Sequence, residues 1–282
     1  MALFEDDYTP VATSKISGLY RSYRLSGPKE QAVLFDITGV QPKIFISTGN
    51  EKLGLLPNFN LPARSFILDG RRVVTCPGAT TYCRKVCYAQ KGQYVVNKVI
   101  PIEYAANYLA SLQPDFARSM IDAISVAEEQ NERRWLSAYG RLPDRRLFRL
   151  HTSGDFYSPE YAAKWYEIAM NMPDVNFYAY TKAWVRFHDD EDVADIGMTA
   201  DMVNEINDEI MNVLIDLNRL PNFQILLSTD KTTGPVPPEL LNMGFKEAGI
   251  DFAYSRPFAQ CLYQTTQAVH LKEEGETIEQ LI

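Results

Sequence analysis

Apolar and polar residues follow two different periods along this chain. The first seventy-five residues carry short runs of β-branched and aromatic residues broken by turn formers. Residues 1–30 are polar and mixed, with Gly18, Ser26, Gly27 and Pro28, and read as loop or a peripheral arm. Residues 32–37 and 43–47 are two strand-like runs, and the Gly39-Val40-Gln41-Pro42 segment between them predicts a hairpin. Residues 50–65, with Gly54, Pro57, Asn58, Asn60 and Pro62, read as loop. Residues 65–68 and 71–75 flank Asp69-Gly70. That dipeptide between apolar runs is a strong tight-turn signal, and it predicts a second hairpin.

Helical spacing takes over after residue 100. Residues 102–112 are rich in Ala, Leu and Tyr and predict a helix. Pro114 opens a second helix, since proline is tolerated in a first turn. Phe116, Met120, Ile121, Ile124, Ala127 and Glu128 fall on one of its faces, and Gly140 stops it. From residue 146 strand and helix patterns alternate. Strands are expected at 146–151, 174–180, 223–228 and 251–255, with helices at 158–172, 200–220 and 238–247. Such alternation implies an α/β fold with a parallel sheet built from right-handed crossovers. The tail, 268–282, reads as a Glu-rich helix. No short-period repeat and no low-complexity segment interrupts the pattern. The acidic stretch at 184–197, with Asp189, Asp190, Glu191, Asp192 and Asp195, reads as a solvated insertion.

Composition narrows the functional classes. The chain has 282 residues, 46% hydrophobic and 23% charged, which is ordinary for a globular protein. Its formal net charge is -8, so nucleic acid is not an expected partner. No window of roughly 18 apolar residues is present, so no membrane span is expected. The acidic start, Glu5-Asp6-Asp7, has no apolar core and does not read as a signal peptide. A cytoplasmic location is the expectation, and in that reducing setting clustered cysteines bind metals or catalyse more often than they pair.

Parallel α/β folds bind ligands at the carboxyl ends of their strands. Here the strand ends read His151-Thr152-Ser153-Gly154-Asp155, Thr181-Lys182, Thr229-Asp230-Lys231 and Ser255-Arg256, with the strand ending at Thr75 running into a cysteine loop. Their convergence predicts one cavity lined by His151, Asp155, Lys182, Asp230 and Arg256, the candidate catalytic residues. Three of them have a plainer reading. His151 could be a hydrogen-bonded structural residue, Asp155 a helix N-terminal carboxylate, and Lys182 a solvated strand end. Tyr161 and Trp165, four apart on one helix, read as packing.

The cysteines carry the strongest signal. Cys76, Cys83 and Cys87 fall within twelve residues, and Cys261 lies far downstream. Structural zinc sites usually show Cys-x2-Cys knuckles, and none is present. Iron–sulfur clusters are held by thiolates at widely varying spacings. The pattern therefore predicts an iron–sulfur cluster, of the 4Fe-4S type, held by Cys76, Cys83, Cys87 and Cys261. A free iron position favours an enzyme, an oxidoreductase or lyase. Full thiolate ligation favours electron transfer or a structural role. The expected partner is a small-molecule ligand or a redox protein.

Thr75-Cys76-Pro77-Gly78-Ala79-Thr80, Cys83 and Cys87-Tyr88-Ala89 are followed in order by residues 149–158, Tyr161, Trp165 and residues 177–182. In these pieces the chain resembles the phage-encoded gene-product-88-like proteins. That resemblance implies a phage origin, hence the host cytoplasm, and a cysteine-bound metal centre. The layout also looks like that of the radical S-adenosylmethionine enzymes. Their architecture implies a TIM-like partial (β/α) barrel with parallel strands, here with N-terminal β-hairpin additions. In that layout residues 1–70 form an arm and hairpin on the core and residues 71–282 the cluster domain, as one unit. Those enzymes use Cys-x3-Cys-x2-Cys and a Gly-Gly-Glu strand, which this chain lacks, so S-adenosylmethionine is not expected to bind. Two alternatives remain: a radical S-adenosylmethionine enzyme, and a zinc-stabilised module that binds host protein or nucleic acid.

Overall fold

The runs of β-branched and aromatic residues form two sheets. The structure is a computed structural model that describes residues 39–49, 54–90, 97 and 99–249. It also describes the backbone of three N-terminal strands, β1 Tyr8–Pro10, β2 Arg21–Leu25 and β3 Val33–Asp36. The later strands are β4 Ile46–Ser47, β5 Asn58–Phe59, β6 Ser65–Leu68, β7 Arg71–Val74, β8 Arg146–Leu150, β9 Val175–Thr181, β10 Phe223–Thr229 and β11 Lys246–Gly249. The smaller sheet has the order β1-β2-β3-β6-β7, and the larger β11-β10-β9-β8-β5-β4.

In the larger sheet every neighbouring pair is parallel except β4 with β5. The fold is therefore mixed α/β around a mostly parallel sheet. Among the described residues the sheet is open, and no barrel closes. β10 is buried along its whole length, as expected of a central strand covered on both faces.

The helices are α1 Thr81–Val86, α2 Val99–Ser111, α3 Phe116–Tyr139, α4 Pro159–Asn171, α5 Ala200–Asn218 and α6 Pro238–Asn242. Their ends follow the sequence. Ser158 caps α4 by accepting from the Tyr161 amide, and Pro159 occupies its first turn. Gly140 ends α3 in the left-handed conformation, φ 69°. Trp165 lies fully buried in α4, with the rings of Phe59, Phe116, Phe148 and Phe177 packed around it. Tyr161 and Trp165 are thus packing residues of the core. Among the described residues no helix is long and apolar enough to cross a membrane.

Several expectations need correction. The Asp69-Gly70 hairpin forms as predicted, with both residues at positive φ, 51° and 75°. The hairpin expected between 32–37 and 43–47 does not form: β3 pairs with β2 and β6, while β4 pairs with β5. Asn107 explains the separation. Its side chain accepts from the Phe45 amide at 2.7 Å and donates to the carbonyls of Phe45 at 3.0 Å and Asn60 at 2.8 Å. It thereby holds residues 43–45 against α2. The helix expected over 238–247 stops at Asn242, and the chain turns at Gly244, φ 88°, into β11. The strand expected at 251–255 and the helix expected at 268–282 lie outside the described residues.

Candidate functional site

The strand ending at Thr75 belongs to the smaller sheet, so it is not one of the parallel strands. Its loop nevertheless reaches their carboxyl edge. The Asp155 amide donates to the Thr75 carbonyl at 3.0 Å, tying the end of β7 to the loop after β8. Gly78 then presses on the end of β9. A Cβ there would stand 2.1 Å from the Lys182 carbonyl oxygen, so only glycine permits the approach. Thr80 caps α1: its hydroxyl accepts from the Cys83 amide at 3.0 Å and donates to Asp230 Oδ2 at 2.7 Å. One side chain thus starts the cysteine-bearing helix and fastens it to the end of β10.

Cys76, Cys83 and Cys87 are all half-buried and carry no disulfide. Cys76 Sγ accepts a hydrogen bond from the Arg64 amide at 3.3 Å. Burial, then the Asp155 carboxylate, holds the Cys76 thiol well above its usual range, and charge on Cys87 or Cys83 raises it further. Burial pushes the Cys83 thiol up to about 11; the Lys182 ammonium opposes this, while Cys87, Asp230 and Asp155 add to it. Cys76 and Cys83 therefore both feel Cys87 and the Asp155 carboxylate, and left alone these two thiols stay protonated.

The wall of this site is made of matched charges. Asp155 Oδ2 accepts from the Lys182 amide at 2.9 Å and Oδ1 from the Phe156 amide at 2.7 Å. Burial raises its carboxyl to about 6, against those amides and the Thr181 hydroxyl. Gly154 makes the preceding turn at φ 83°, where a Cβ would meet Leu61 Cβ at 2.6 Å. Lys182, almost fully buried, donates from Nζ to the Ser228 carbonyl at 3.0 Å and pairs with Asp230 Oδ2 at 3.0 Å. It is no solvated strand end. Burial acts to raise the Asp230 carboxyl, but hydrogen bonds from Thr232 and Thr80 and the Lys182 charge outweigh it and hold it at about 2.

His151 stands apart in character. Its φ is 58°, rare for a non-glycine residue. Nε2 shares a hydrogen bond with the Tyr161 hydroxyl at 2.9 Å, and the ring meets Phe156 edge-on at 4.8 Å. Burial, then the Arg149 charge, keeps the imidazole neutral, with its pKa down to about 3. Nδ1 has no hydrogen-bond partner among the described residues. Arg256 and Cys261 lie outside the described residues. Among the described residues, no three His, Cys, Asp or Glu side chains are grouped as ligands of one metal ion.

The sequence reading missed three contributors. Thr80 is one, although a threonine three residues before Cys83 is an N-cap signal. Arg64 and Arg84 are the others. Both pair with Asp195, at 3.1 Å and 2.8 Å. The acidic stretch is therefore not simply a solvated insertion: Val193 and Ile196 are buried within it, and Asp195 reaches the cysteine loop.

Comparison with known proteins gives the chain its relatives. A family model described as Gene product 88 matches residues 43–257. The Gene 88 protein of Mycobacterium phage L5 is 32% identical over 138 residues, covering 48% of this chain and 51% of that protein. The Gene 88 protein of Mycobacterium phage D29 is 30% identical over 134 residues, covering 48% and 50%. The chain spans about half the length of the curated relatives it matches. No solved structure matches it.

Proposed function

We propose that this chain, which belongs to the gene product 88 family, is an iron–sulfur protein that serves redox or small-molecule chemistry in phage-infected cells. One observation carries the reading. Three thiols fall in a single loop that is bonded to the carboxyl edge of a parallel sheet, through the Asp155 amide on the Thr75 carbonyl and the Thr80 hydroxyl on Asp230. That edge is where such sheets bind their ligands.

The donor set fits a cluster. Cys76 Sγ accepts an amide hydrogen bond from Arg64, the type of contact that tunes cluster potential. Burial disfavours bare thiolates here, and a bound metal deprotonates its thiol ligands outright. Cluster thiolates bind separate irons, so they need not converge on one ion. In this reading Cys76, Cys83 and Cys87 hold a 4Fe-4S cluster with Cys261 as fourth ligand. Asp155, Lys182 and Asp230 wall it, and His151 and Arg256 complete the pocket. A bound cluster supplies one-electron transfer or, with one iron open, a Lewis acid. The sequential order of the parallel strands from β8 through β11 supports taking the open sheet as the arc of a TIM-like partial (β/α) barrel.

Anaerobic purification tests the proposal through iron and sulfide quantitation and electron paramagnetic resonance. A brown protein with iron and acid-labile sulfide in equal amounts is expected. A colourless protein holding only zinc overturns it. Cleavage of S-adenosylmethionine by the reduced protein would instead establish the radical-enzyme alternative. Cys261→Ala tests the fourth ligand: an unchanged cluster spectrum removes that residue from the site.

A further inference from the structure

The acidic stretch holds one carboxylate that differs from the rest. Asp189, Asp190, Glu191 and Asp192 are exposed. Asp195 sits in a single turn, Ala194–Ile196, rooted by the buried side chains of Val193 and Ile196 and closed by Gly197 at φ 71°. Its carboxylate is only 23% exposed and grips two guanidinium groups at once. Oδ2 lies 3.1 Å from Arg64 Nη2 and Oδ1 lies 2.8 Å from Arg84 Nη2.

Both arginines lead directly to thiols. The Arg64 amide donates to Cys76 Sγ at 3.3 Å, and the Arg64 backbone is held at φ 62°, a conformation that a non-glycine residue adopts only when its surroundings enforce it. Arg84 lies in α1 between Cys83 and Cys87, with its side chain 1% exposed. It also donates to the carbonyls of Ala79 and Asp192. Thr81 Oγ1 reaches the same Asp192 carbonyl at 3.3 Å, and Arg72 Nη1 donates to the Asp195 carbonyl. The turn is thus bonded to both cysteine-bearing segments, and Asp195 is the point at which they are joined.

We infer that Asp195 is a positioning residue: by holding Arg64 and Arg84 together it fixes the spacing between Cys76 and the Cys83–Cys87 helix and limits access to their thiols. The inference deepens the cluster reading, and rests on it only for what the thiols bind. Local opening governs how fast a half-buried thiol meets a reagent. A loop freed from its clamp opens more often.

The test is the alkylation rate of each cysteine, read by mass spectrometry on reduced, iron-free protein. Asp195→Asn keeps the shape and removes the charge. It should raise the rates at Cys76 and Cys83 about tenfold. Ile210→Val, a truncation on the core-facing side of α5, should leave them unchanged. Unchanged rates in Asp195→Asn, or an equal rise in Ile210→Val, overturn the inference. Should Asp195→Asn not fold, Arg64→Lys decides: it keeps the charge and loses the fork, and should accelerate Cys76 more than Cys83. No such selectivity also overturns the inference. Because iron is absent throughout, a wild-type protein that never binds a cluster ends the cluster reading without altering this result.

Discussion

Glu128 lies on the core-facing side of α3, with Met120, Ile124, Ala127 and Asn131. It is 3% exposed, and neither carboxylate oxygen has a hydrogen-bond partner among the described residues. Burial raises its pKa from 4.5 to about 7, with Arg146 pulling down and Glu132 pushing up. Between those values the folded chain keeps a proton that the unfolded chain has released. Stability is therefore full below pH 4.5, falls as pH rises, and levels off above about 7. Each tenfold change in proton affinity is worth about 1.4 kcal/mol, so the total loss is about 3 kcal/mol. Glu128→Gln cannot ionise and escapes that loss. It should match the wild type near pH 4.5 and exceed it by about 3 kcal/mol at pH 8. At roughly 2 °C per kcal/mol for a chain of this size, the gap in Tm should widen by about 6 °C. Thermal unfolding followed by circular dichroism at the two pH values gives the answer. A gap that does not change with pH refutes the reasoning.

Three further outcomes follow from the site. Gly78→Ala drives a Cβ into the Lys182 carbonyl, and the backbone on both sides must shift. Its unfolding midpoint in urea should fall by the equivalent of about 1–3 kcal/mol, and a wild-type midpoint would refute the close approach. Lys182→Met strands the Asp230 carboxylate, whose side chain is 0% exposed, and should cost about 3–5 kcal/mol. Adding Asp230→Asn should recover part of that, and strictly additive urea melts would deny the pairing. Tyr161→Phe removes the hydroxyl bonded to His151 Nε2. A loss of about 1–3 kcal/mol is expected, and an unchanged melt would show that the bond contributes nothing.

The parallel half of the fold was legible because its signals are local and repeated. Arg146–Leu150, Val175–Thr181 and Phe223–Thr229 lie within a residue or so of their predicted ranges, each between two helices. The Asp69-Gly70 turn was legible for the same reason. What failed depended on distant partners. Alternation marks residues 71–75 as a strand but does not say which sheet it joins. Residues 43–47 have the composition of a hairpin arm, yet Asn107, some sixty positions on, decides where they lie. Lys246–Gly249 is a polar edge strand with no apolar alternation to reveal it. The six residues of Thr81–Val86 are too few for helical periodicity to show. In the candidate site, the cysteines and the strand-end charges could be read from the sequence. That Lys182 and Asp230 neutralise each other, and that one aspartate in an acidic run turns inward, are tertiary facts.

The Thr80–Asp230 bond joins positions 150 residues apart. A ribosome adds about 5–20 residues per second, so the thiols emerge on the order of ten seconds before the strand end to which Thr80 is bonded. For that interval the nascent loop meets cellular oxidants without its walls. Until β10 is translated and docked, the reducing capacity of the surroundings, rather than the fold, keeps the three sulfurs as thiols.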